Sequence, residues 1–590
     1  MRRVLLALSL GLLVLSPASA APAPAASAPR PFLDLQFNAA ECTAGWIPIV
    51  RGDFESFMDS SVSRSGGQSA AIRYTAEERW TRARGYGLMN QEFPVADAAG
   101  KRFRLSGYIR TEDVRFGSAK LWITAVDSRG NVVASVEDRV AGVYGTAPWT
   151  LFQTEIDVPA DAREMTFGIL HEGSGTAWFD DLSVALDGVA WTQGKQPAVP
   201  RVTPAAVSWL RKSAIPFATP EAGNGFDDLQ RLKKVIGDAR IVSLGEGTHG
   251  TREFFQMKHR LLEFLVEEMG FTHFSIEANM PEAYRVNEYV LTGEGDPYEL
   301  LEGMYFWTWN TQEVLDMILW MREYNASGKG PVQFTGFDMQ FAVVAGNNVR
   351  TFLRTADSTY LLEAGALLSQ AVEADQNRRA TSADLAAARS VYEHMKAKRD
   401  TYLARFDAAR VDWAIQNARV LVQALEQIGG GQTRDESMAE NVEWILDHAP
   451  AGSKIVLWAH NAHVSKAPGW MGRFLEERYG DDMVVLGFAF GSGRYNAIQI
   501  GAGLGAHEAH PPISGSVESY LAAAGIPRFV LDLRRVPNGA PATWLRQSRN
   551  FRSIGAVAMR CAFFPAVVAE EYDALIWFDT THPAVALPFD

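Results

Sequence analysis

Cysteine is nearly absent from this sequence, since Cys42 and Cys561 are the only two among 590 residues. Two cysteines near opposite ends of a chain cannot build the disulfide framework of a small secreted scaffold. A single bridge between them stays open, because separation in sequence does not determine proximity in space. Neither cysteine has the sequence neighbours of an obvious thiolate nucleophile. We therefore expect two unrelated thiols and no cysteine nucleophile.

Long basic stretches are also missing. The chain carries 56 Lys and Arg against 69 Asp and Glu, which gives a formal net charge of -13. Binding to the phosphate backbone of a nucleic acid depends on clustered positive charge. The composition therefore predicts no nucleic-acid partner.

Long hydrophobic runs are confined to the first residues. Arg2 and Arg3 precede an apolar run from Val4 to Leu15, and a small-residue tripeptide follows. The run is too short to span a bilayer, and the order is typical of a secretory signal peptide over residues 1–20. An Ala- and Pro-rich flexible leader follows over residues 21–31. We expect an exported protein, periplasmic or secreted, without a membrane span.

Residues 32–186 lack helical periodicity. Short runs of alternating apolar and polar residues recur there, separated by Gly, Asp, Asn and Pro turns. Strands at this spacing without helices are typical of a β-sandwich. Residues 187–204 are rich in Pro, Gly and polar residues, which is typical of a linker. We predict an all-β N-terminal domain that this linker joins to a second domain.

Three motifs in residues 32–186 resemble the jelly-roll carbohydrate-binding modules, namely GQSAAIRY, RLSGYIRTEDV and GTAWFDDLSV. The resemblance implies a jelly-roll sandwich and a saccharide partner. Aromatic rings can stack on sugars, but they also dominate sandwich interiors, so we expect most of them in the core. Trp122 and Trp178 lie within predicted strands and are assigned to the core. The candidate stacking platforms are Trp46, Trp80, Tyr86, Trp122 and Trp149.

The second domain, residues 205–590, alternates helix-like and strand-like segments, which is typical of an α/β fold with a largely parallel sheet. Residues from about 345 to 430 interrupt this alternation, because they are rich in Ala, Leu, Glu, Arg and Gln and contain no strand-like run. We predict an insertion of several antiparallel helices there. The predicted strands are Ile241–Leu244, His273–Glu277, Val332–Phe337, Lys454–Ala459, Met483–Phe488, Phe529–Leu533 and Ala574–Phe578.

The segment ARIVSLGEGTHG, residues 239–250, carries the strongest functional signal. A short β-branched run, Ile241–Leu244, is followed by a Gly-rich turn that presents Glu246 and His249. Glycines let the backbone turn sharply and leave room for a ligand. In an open α/β sheet, ligands bind beyond the carboxyl ends of the strands. The sequence thus predicts a carboxylate and an imidazole at the place where chemistry occurs.

Other predicted strands also end in polar residues. The second ends in Glu277, the third in Asp338 and the fourth in His460 and His463. If the strands are parallel neighbours, these side chains converge on one edge of the sheet. Such a gathering of imidazoles and carboxylates is costly to bury as mere packing. We therefore favour a functional interpretation, in which Asp338 binds substrate or orients a neighbouring group.

Seven motifs of the second domain resemble the erythromycin esterase family, namely SLGEGTHGTREFF, KHRL, FSIEAN, WTWNTQEV, FTGFDMQ, RDESMAENVEWIL and WAHNAHV. The family has an α/β core with an added helical part and includes hydrolases that open macrolide lactones. The resemblance implies that His249 is the general base that activates water. Lys258 stands where the family often has Arg, which keeps the charge of a substrate-binding residue but loses the bidentate fork. The family's other active-site positions match Glu246, Glu277, His460 and His463.

The preferred mechanism requires no cofactor. An imidazole oriented by Glu246 takes a proton from water as the water attacks an ester carbonyl. A second imidazole, His460 or His463, stabilises the oxyanion or protonates the leaving alkoxide. The GxSxG motif of serine hydrolases is missing from the sequence, so an acyl-serine intermediate is not expected.

Two alternatives stay open. A divalent metal such as zinc can activate water instead, in an enzyme acting on an acylated cell-envelope glycan. The chain can also be a non-catalytic glycan-binding envelope protein with a relic site. The candidate metal ligands are Glu246, His249, His460 and His463.

Overall fold

The computed structural model describes residues 30–588 except 39–45, 52, 76–84, 128–131, 137–140, 196–197, 500–501, 538, 540 and 560–561. The predicted signal peptide, most of the leader, Trp80 and both cysteines lie outside the described residues. The expectations for export and for the two thiols therefore stay predictions.

The described residues before Thr192 form an antiparallel β-structure, as the sequence predicts. The strands run in the order β1-β4-β8-β5-β9-β3-β2, with β10 beside β9 and with β6 and β7 beside β5. Their elements are β1 (Ile47–Arg51), β2 (Phe54–Asp59), β3 (Ser69–Tyr74), β4 (Tyr86–Glu92), α1 (Val95–Ala98), β5 (Arg102–Val126), β6 (Val132–Ser135), β7 (Val143–Asp157), β8 (Glu164–His171), β9 (Thr176–Leu186) and β10 (Val189–Trp191). Strand β10 lies in the segment that the composition assigns to a linker, and it extends the sheet by pairing with β9.

The long strand β5 has 25 residues and contains two of the short alternating runs of the sequence, Phe103–Ile109 and Lys120–Val126, which the sequence predicts as separate strands. Its register with β7 shifts between Ile109 and Ala119, and Asp113 and Phe116 have positive φ angles of 55° and 60°. Such bulges bend a strand without ending it. The first half of β5 pairs with β9 and the second half with β8, so the bend wraps the sheet around its core.

The aromatic residues of this β-structure are divided between core and surface. Trp46 is 1 % exposed, and its ring centroid lies 4.9 Å from that of Phe37 and 5.5 Å from that of Phe167. Trp46 is therefore a core residue and not a stacking platform. Trp122 and Trp149 are partly exposed, so the assignment of Trp122 to the core is wrong, whereas Trp178 is 7 % exposed and is a core residue as predicted.

The second part of the chain combines a central sheet with helices on both faces. Its elements up to the fifteenth strand are α2 (Pro204–Ser213), β11 (Ile215–Pro216), α3 (Leu232–Ile236), β12 (Ile241–Leu244), α4 (Arg252–Met269), β13 (His273–Asn279), α5 (Met280–Thr292), α6 (Pro297–Glu302), α7 (Gln312–Ala326), β14 (Gln333–Asp338), α8 (Val343–Ala356), α9 (Ser358–Gln376), α10 (Ser382–Ala397), α11 (Arg399–Leu403), α12 (Ala408–Gly429), α13 (Arg434–His448) and β15 (Ile455–Trp458). The remaining elements are α14 (Asn461–Val464), α15 (Met471–Tyr479), β16 (Met483–Gln499), β17 (Gly503–Glu508), α16 (Val517–Ala522), β18 (Arg528–Asp532), β19 (Arg549–Arg552), β20 (Phe563–Ala566), α17 (Val568–Glu571) and β21 (Ala574–Thr581), with 3₁₀ turns at Gly480–Asp482 and Thr543–Arg546.

The central sheet is mixed. Strands β14, β13, β15, β12, β16 and β21 lie side by side in this order and are parallel. Strands β18, β11 and β17 join them through antiparallel pairs. Every residue of β12, β13 and β15 is buried, which is expected where helices cover both faces of a sheet.

Helices α8 to α12 follow β14 without an intervening strand and have an apolar cluster of their own, which includes Phe352, Leu368 and Leu421. Helix α4 ends at Met269, and its C-cap Gly270 has a φ of 72°, the left-handed conformation that glycine adopts readily at helix ends. Within the described part of the chain, no helix is long and apolar enough to cross a membrane.

Candidate active site

The strand order brings the predicted site residues together. Strands β14, β13, β15 and β12 are consecutive parallel neighbours, so their carboxyl ends meet along one edge. Asp338 ends β14, Glu277 lies near the end of β13, and His460 follows β15. The ring centroids of His249 and His460 are 5.0 Å apart, although the two residues are far apart in sequence.

The loop after β12 is held tightly against its neighbours. A Cβ atom on Gly245 would lie 2.2 Å from the Asn461 side-chain oxygen, and one on Gly250 would lie 2.2 Å from the carbonyl oxygen of Asn496. The Ile554 amide donates to the carbonyl of Gly247 at 2.9 Å. These glycines are needed for close approach, and the contacts fix the loop that carries Glu246 and His249.

Glu246 is completely buried and has a partner for each oxygen. One oxygen accepts hydrogen bonds from Lys258 Nζ at 2.5 Å and from Trp458 Nε1 at 2.7 Å, and the other lies 2.6 Å from His249 Nδ1. Burial alone raises the pKa of this carboxyl, but the attraction of Lys258 and His249 is stronger and holds the pKa below its usual value. Glu246 is therefore an ionised carboxylate at neutral pH.

Lys258 is the buried counter-charge of Glu246. Its side chain is fully buried, and its Nζ atom lies 4.2 Å from the centre of the Trp458 ring. Burial lowers the pKa of Lys258 to about 8, against the opposing attraction of Glu246 and Glu277. The ammonium group points at Glu246 and holds it in position.

His249 is oriented by this arrangement. Its Nδ1 atom is engaged with Glu246, so Nε2 is the nitrogen that can take a proton from a reactant. The side chain is 12 % exposed, and the edge of the Trp309 ring system packs against it at a centroid distance of 6.3 Å. A carboxylate behind an imidazole fixes the tautomer and stabilises the cation that forms on proton transfer.

A second buried charge group lies beside the first. Arg434 donates from Nη2 to Glu277 at 2.8 Å and to Asp338 at 2.7 Å, and from Nε to Asp338 at 3.1 Å. Burial raises the pKa of Glu277, but His463 and Arg434 outweigh this effect and hold it far below its usual range. Burial lowers the pKa of Arg434, but its two carboxylate partners have the larger effect and hold the pKa above its usual value. Arg434 and Glu277 are therefore both ionised throughout the physiological pH range.

His460 is held neutral. Its Nε2 atom lies 3.1 Å from the carbonyl oxygen of Ile554, and its Nδ1 accepts from the amide of Ala462 at 3.2 Å. Burial, together with the neighbouring imidazoles of His249 and His463, lowers the pKa of His460 to about 3. Because both ring nitrogens are engaged with the backbone, His460 is poorly suited to move protons.

His463 has the opposite electrostatic environment. Its Nδ1 donates to Asp435 at 2.7 Å, and its Nε2 accepts from Arg434 Nη1 at 3.0 Å and lies 3.3 Å from Glu277. Burial lowers the pKa of His463, but the two carboxylates outweigh burial and raise it above its usual value. The carboxylates thus favour the cationic form of His463, while the nearby Arg434 opposes it.

Several contributors to the site escape the sequence interpretation. Arg434 and Asp435 begin α13 directly after its N-cap Thr433, and Trp458 and Trp309 pack around Glu246 and His249. A cation in the first turn of a helix is disfavoured by the helix dipole. The unusual place of Arg434 is therefore the signal by which sequence reasoning could have found it.

The substrate-binding roles of Lys258 and Asp338 stay predictions. Both side chains are fully buried. Lys258 contacts Glu246, and the Asp338 oxygens accept hydrogen bonds from Arg434, from the Met339 amide and from the Gln340 side chain. In these positions both residues hold other site residues in place.

The candidate zinc ligands are bonded to other groups. Glu246 and His249 are paired with each other, His460 is bonded to the backbone, and His463 is bonded to Asp435. Across the residues that the structure describes, no group of three or more His, Cys, Asp or Glu side chains is arranged to hold a metal ion. The donor set, as placed, does not fit a zinc centre.

One further carboxyl group close to this network, that of Glu282, is buried in surroundings that disfavour its charged form. Glu282, in the first turn of α5, is 3 % exposed, and neither carboxyl oxygen has a hydrogen-bond partner among the described residues. Burial raises the pKa of Glu282 to about 8, and the charges of Asp375 and Asp338 act in the same direction while Arg285 opposes them. Glu282 is therefore protonated at neutral pH.

Comparisons of this chain with family models, with known proteins and with solved structures show what it is similar to. The family model for erythromycin esterase matches residues 266–581, which is more than half of the chain. Erythromycin esterase type II of Escherichia coli is 27 % identical over 380 residues, which cover 56 % of this chain and 89 % of that protein.

Two solved structures share the fold. A succinoglycan biosynthesis protein is 28 % identical, with a TM-score of 0.57, and the match covers 65 % of this chain and 98 % of that one. A variant of the erythromycin esterase EreC in its open conformation is 20 % identical, with a TM-score of 0.51, over 62 % of this chain and 96 % of that one. The chain therefore belongs to the erythromycin esterase family, a family of ester hydrolases.

Proposed function

We propose that the chain hydrolyses carboxylic esters by general-base activation of water, with macrolide lactones as one substrate class. The observation that supports this proposal best is the pairing of His249 Nδ1 with Glu246 at 2.6 Å. The pair directs the free imidazole nitrogen away from a fully buried carboxylate. A relative that is named an erythromycin esterase supports the substrate class.

The proposed reaction starts with a water molecule hydrogen-bonded to His249 Nε2. As the water oxygen attacks the ester carbonyl, its proton moves to Nε2, and Glu246 stabilises the imidazolium. Charge then develops on the carbonyl oxygen, and the positive charge of Arg434 favours the tetrahedral intermediate. Collapse of the intermediate breaks the bond to the alkoxide, which takes a proton from the imidazolium. The products are a carboxylic acid and an alcohol, or one hydroxy acid from a lactone.

Substitution of His249 tests this mechanism. His249→Ala should lower kcat/KM for an activated aryl ester and for a macrolide lactone by at least about a hundredfold, because the general base is lost. His510→Ala removes a partly exposed imidazole outside the site and is the matched control, which should leave turnover unchanged. Unchanged turnover by His249→Ala, with a circular dichroism spectrum like that of the wild type, would refute the assignment.

An acylated glycan is a second candidate substrate. The likeness to a succinoglycan biosynthesis protein supports it, as does the β-structure before Thr192, which we propose is a saccharide-binding jelly roll. The full chain should be retained on an insoluble polysaccharide and should release acetate from an acetylated glycan. Retention on no glycan argues for a purely structural β-domain.

Metal dependence and export belong to the same set of tests. The preferred mechanism predicts that prolonged chelation with EDTA leaves ester hydrolysis intact, whereas the zinc alternative predicts loss and recovery with added Zn²⁺.

Export, which we infer from residues 1–20, predicts that a cell expressing the full chain accumulates it outside the cytoplasm, shortened at its N-terminus. A broad ester panel with only background hydrolysis would favour a non-catalytic binding role.

A further inference from the structure

A cavity lies between helices α4 and α7, apart from the residues of the active site. Its volume is about 420 Å³, which lies within the range of small-molecule sites. Helices α4 and α7 form two walls of the cavity, and the loop of residues 221–223 forms the third. The lining side chains that carry the argument are Glu221, His259, Glu263, Glu313, Asp316 and Trp320.

Two of the four lining carboxylates are buried in the wall of the cavity. Glu263 is 5 % exposed and Glu313 is 6 % exposed. One oxygen of Glu263 accepts from the Gly223 amide at 2.8 Å, and both oxygens of Glu313 lie 3.1 Å from the Val585 amide. Burial raises the pKa of both carboxyls. A cation in the cavity would relieve this cost by favouring the ionised forms.

His259 adds an unsatisfied polar group to the same wall. It is 8 % exposed, and its Nε2 has no hydrogen-bond partner among the described residues. The nearest acidic oxygen, on Glu263, is 3.7 Å away, which is too long for a hydrogen bond. Burial lowers the pKa of His259 to about 4, so the ring is neutral at physiological pH. Buried polar atoms in native proteins usually have a partner, and here a ligand can supply it.

The neighbouring cations neutralise the cavity only in part. Arg252 forms an ion pair with Glu313, with its Nε 3.6 Å from the carboxylate. Arg260 lies on the same helix as Glu263, but its guanidinium is bonded to Asp228 and to the carbonyls of Thr219 and Gly225. The four lining carboxylates therefore exceed the positive charge that faces them.

We propose that this cavity binds a small organic cation that carries one or more ammonium groups. The carboxylates pair with the ammonium groups, neutral His259 accepts a hydrogen bond, and the Trp320 ring offers a face for a cation–π contact. The volume is much larger than a single metal ion needs. The site lies outside the ester-hydrolysing residues, so its occupancy is a property separate from the proposed reaction.

The test is calorimetric titration of the full chain with 1,3-diaminopropane at low ionic strength, with 1,3-propanediol as the neutral counterpart. The diamine should bind and the diol should not. Glu263→Gln keeps the bond to the Gly223 amide but removes a buried charge, and should weaken diamine binding by about tenfold. His259→Phe keeps the ring and removes the acceptor, and should weaken binding severalfold.

Glu268→Gln is the matched control, since it makes the same charge change on an exposed residue of α4 that pairs with Lys233. It should leave diamine affinity unchanged, and all three variants should retain ester hydrolysis. Equal binding of diamine and diol, absence of diamine binding, or wild-type affinity in Glu263→Gln would overturn the proposal. Binding of Zn²⁺ in place of the diamine would also overturn it, in favour of a metal site.

Discussion

Replacement of Glu246 by Gln separates the two tasks of this carboxylate, which balances Lys258 and orients His249. In the Glu246→Gln variant the buried ammonium loses its counter-charge and sheds its proton. Since the pKa of Lys258 is about 8 in the intact pair, this costs about 1.4 kcal/mol at pH 7. An amide also cannot accept from all the former partners, and one lost charge-assisted hydrogen bond costs about 1.5–3 kcal/mol.

The free energy of unfolding should therefore fall by about 3–4 kcal/mol, in line with the cost of breaking a buried ion pair. Urea denaturation at pH 7 measures it. Hydrolysis of an activated aryl ester should fall by about 10²–10⁴-fold in kcat/KM, because the imidazole loses its carboxylate.

The double variant Glu246→Gln/Lys258→Met distinguishes the cause of the lost stability from the cause of the lost ester hydrolysis. It removes the orphaned ammonium, so its stability should return to within about 1 kcal/mol of the wild type. Its activity should stay as low as that of Glu246→Gln, and Lys258→Met alone completes the thermodynamic cycle. If hydrolysis returns with stability, Glu246 acts through the charge of Lys258 and not through His249, and the proposed mechanism is refuted.

Three further predictions follow from the same contacts. Arg434→Lys keeps the charge but cannot reach both carboxylates in a fork, so kcat/KM should fall by about 10–100-fold and thermal stability should decrease, with an unchanged profile contradicting the role of the fork. Glu282→Gln should raise the free energy of unfolding by about 1–3 kcal/mol at pH 7.5 and by almost nothing at pH 4.5. The reason is that the folded protein keeps Glu282 protonated up to a pH of about 8, whereas the unfolded chain releases this proton near its ordinary pKa. The wild type therefore loses stability as the pH rises toward 8, and the Gln variant does not. Equal effects at both pH values would contradict this. Trp458→Phe keeps the ring packing but removes a hydrogen bond to Glu246, so urea denaturation should show a loss of about 1–2 kcal/mol, and no loss would show that the bond is not stabilising.

The residues after each buried strand were accessible to sequence reasoning because their pattern is local. A β-branched run followed by glycines predicts β12 and the turn that carries Glu246 and His249. The strand ends at Glu277, Asp338 and His460 follow from the same reasoning, since the carboxyl ends of parallel strands share one edge.

The strand β5 shows where local reasoning stops. Asp113 and Phe116 lie in a segment without strand-like alternation, and the sequence divides the strand there. The structure accommodates the segment as bulges, because pairing with β7 continues on both sides of it. Whether such a segment ends a strand depends on the partner strand, which lies elsewhere in the chain.

The sequence by itself determined the two-part architecture, the order of the buried strands along the chain and the chemistry that stands at their ends. Tertiary structure alone decided which of these groups carry charge. His460 and His463 are three residues apart, yet backbone partners and burial keep the first neutral, while Asp435 and Glu277 favour a cation on the second. The physical reason is that a pKa depends on burial and on charges brought close by folding, and these distances are set by contacts between residues remote in sequence.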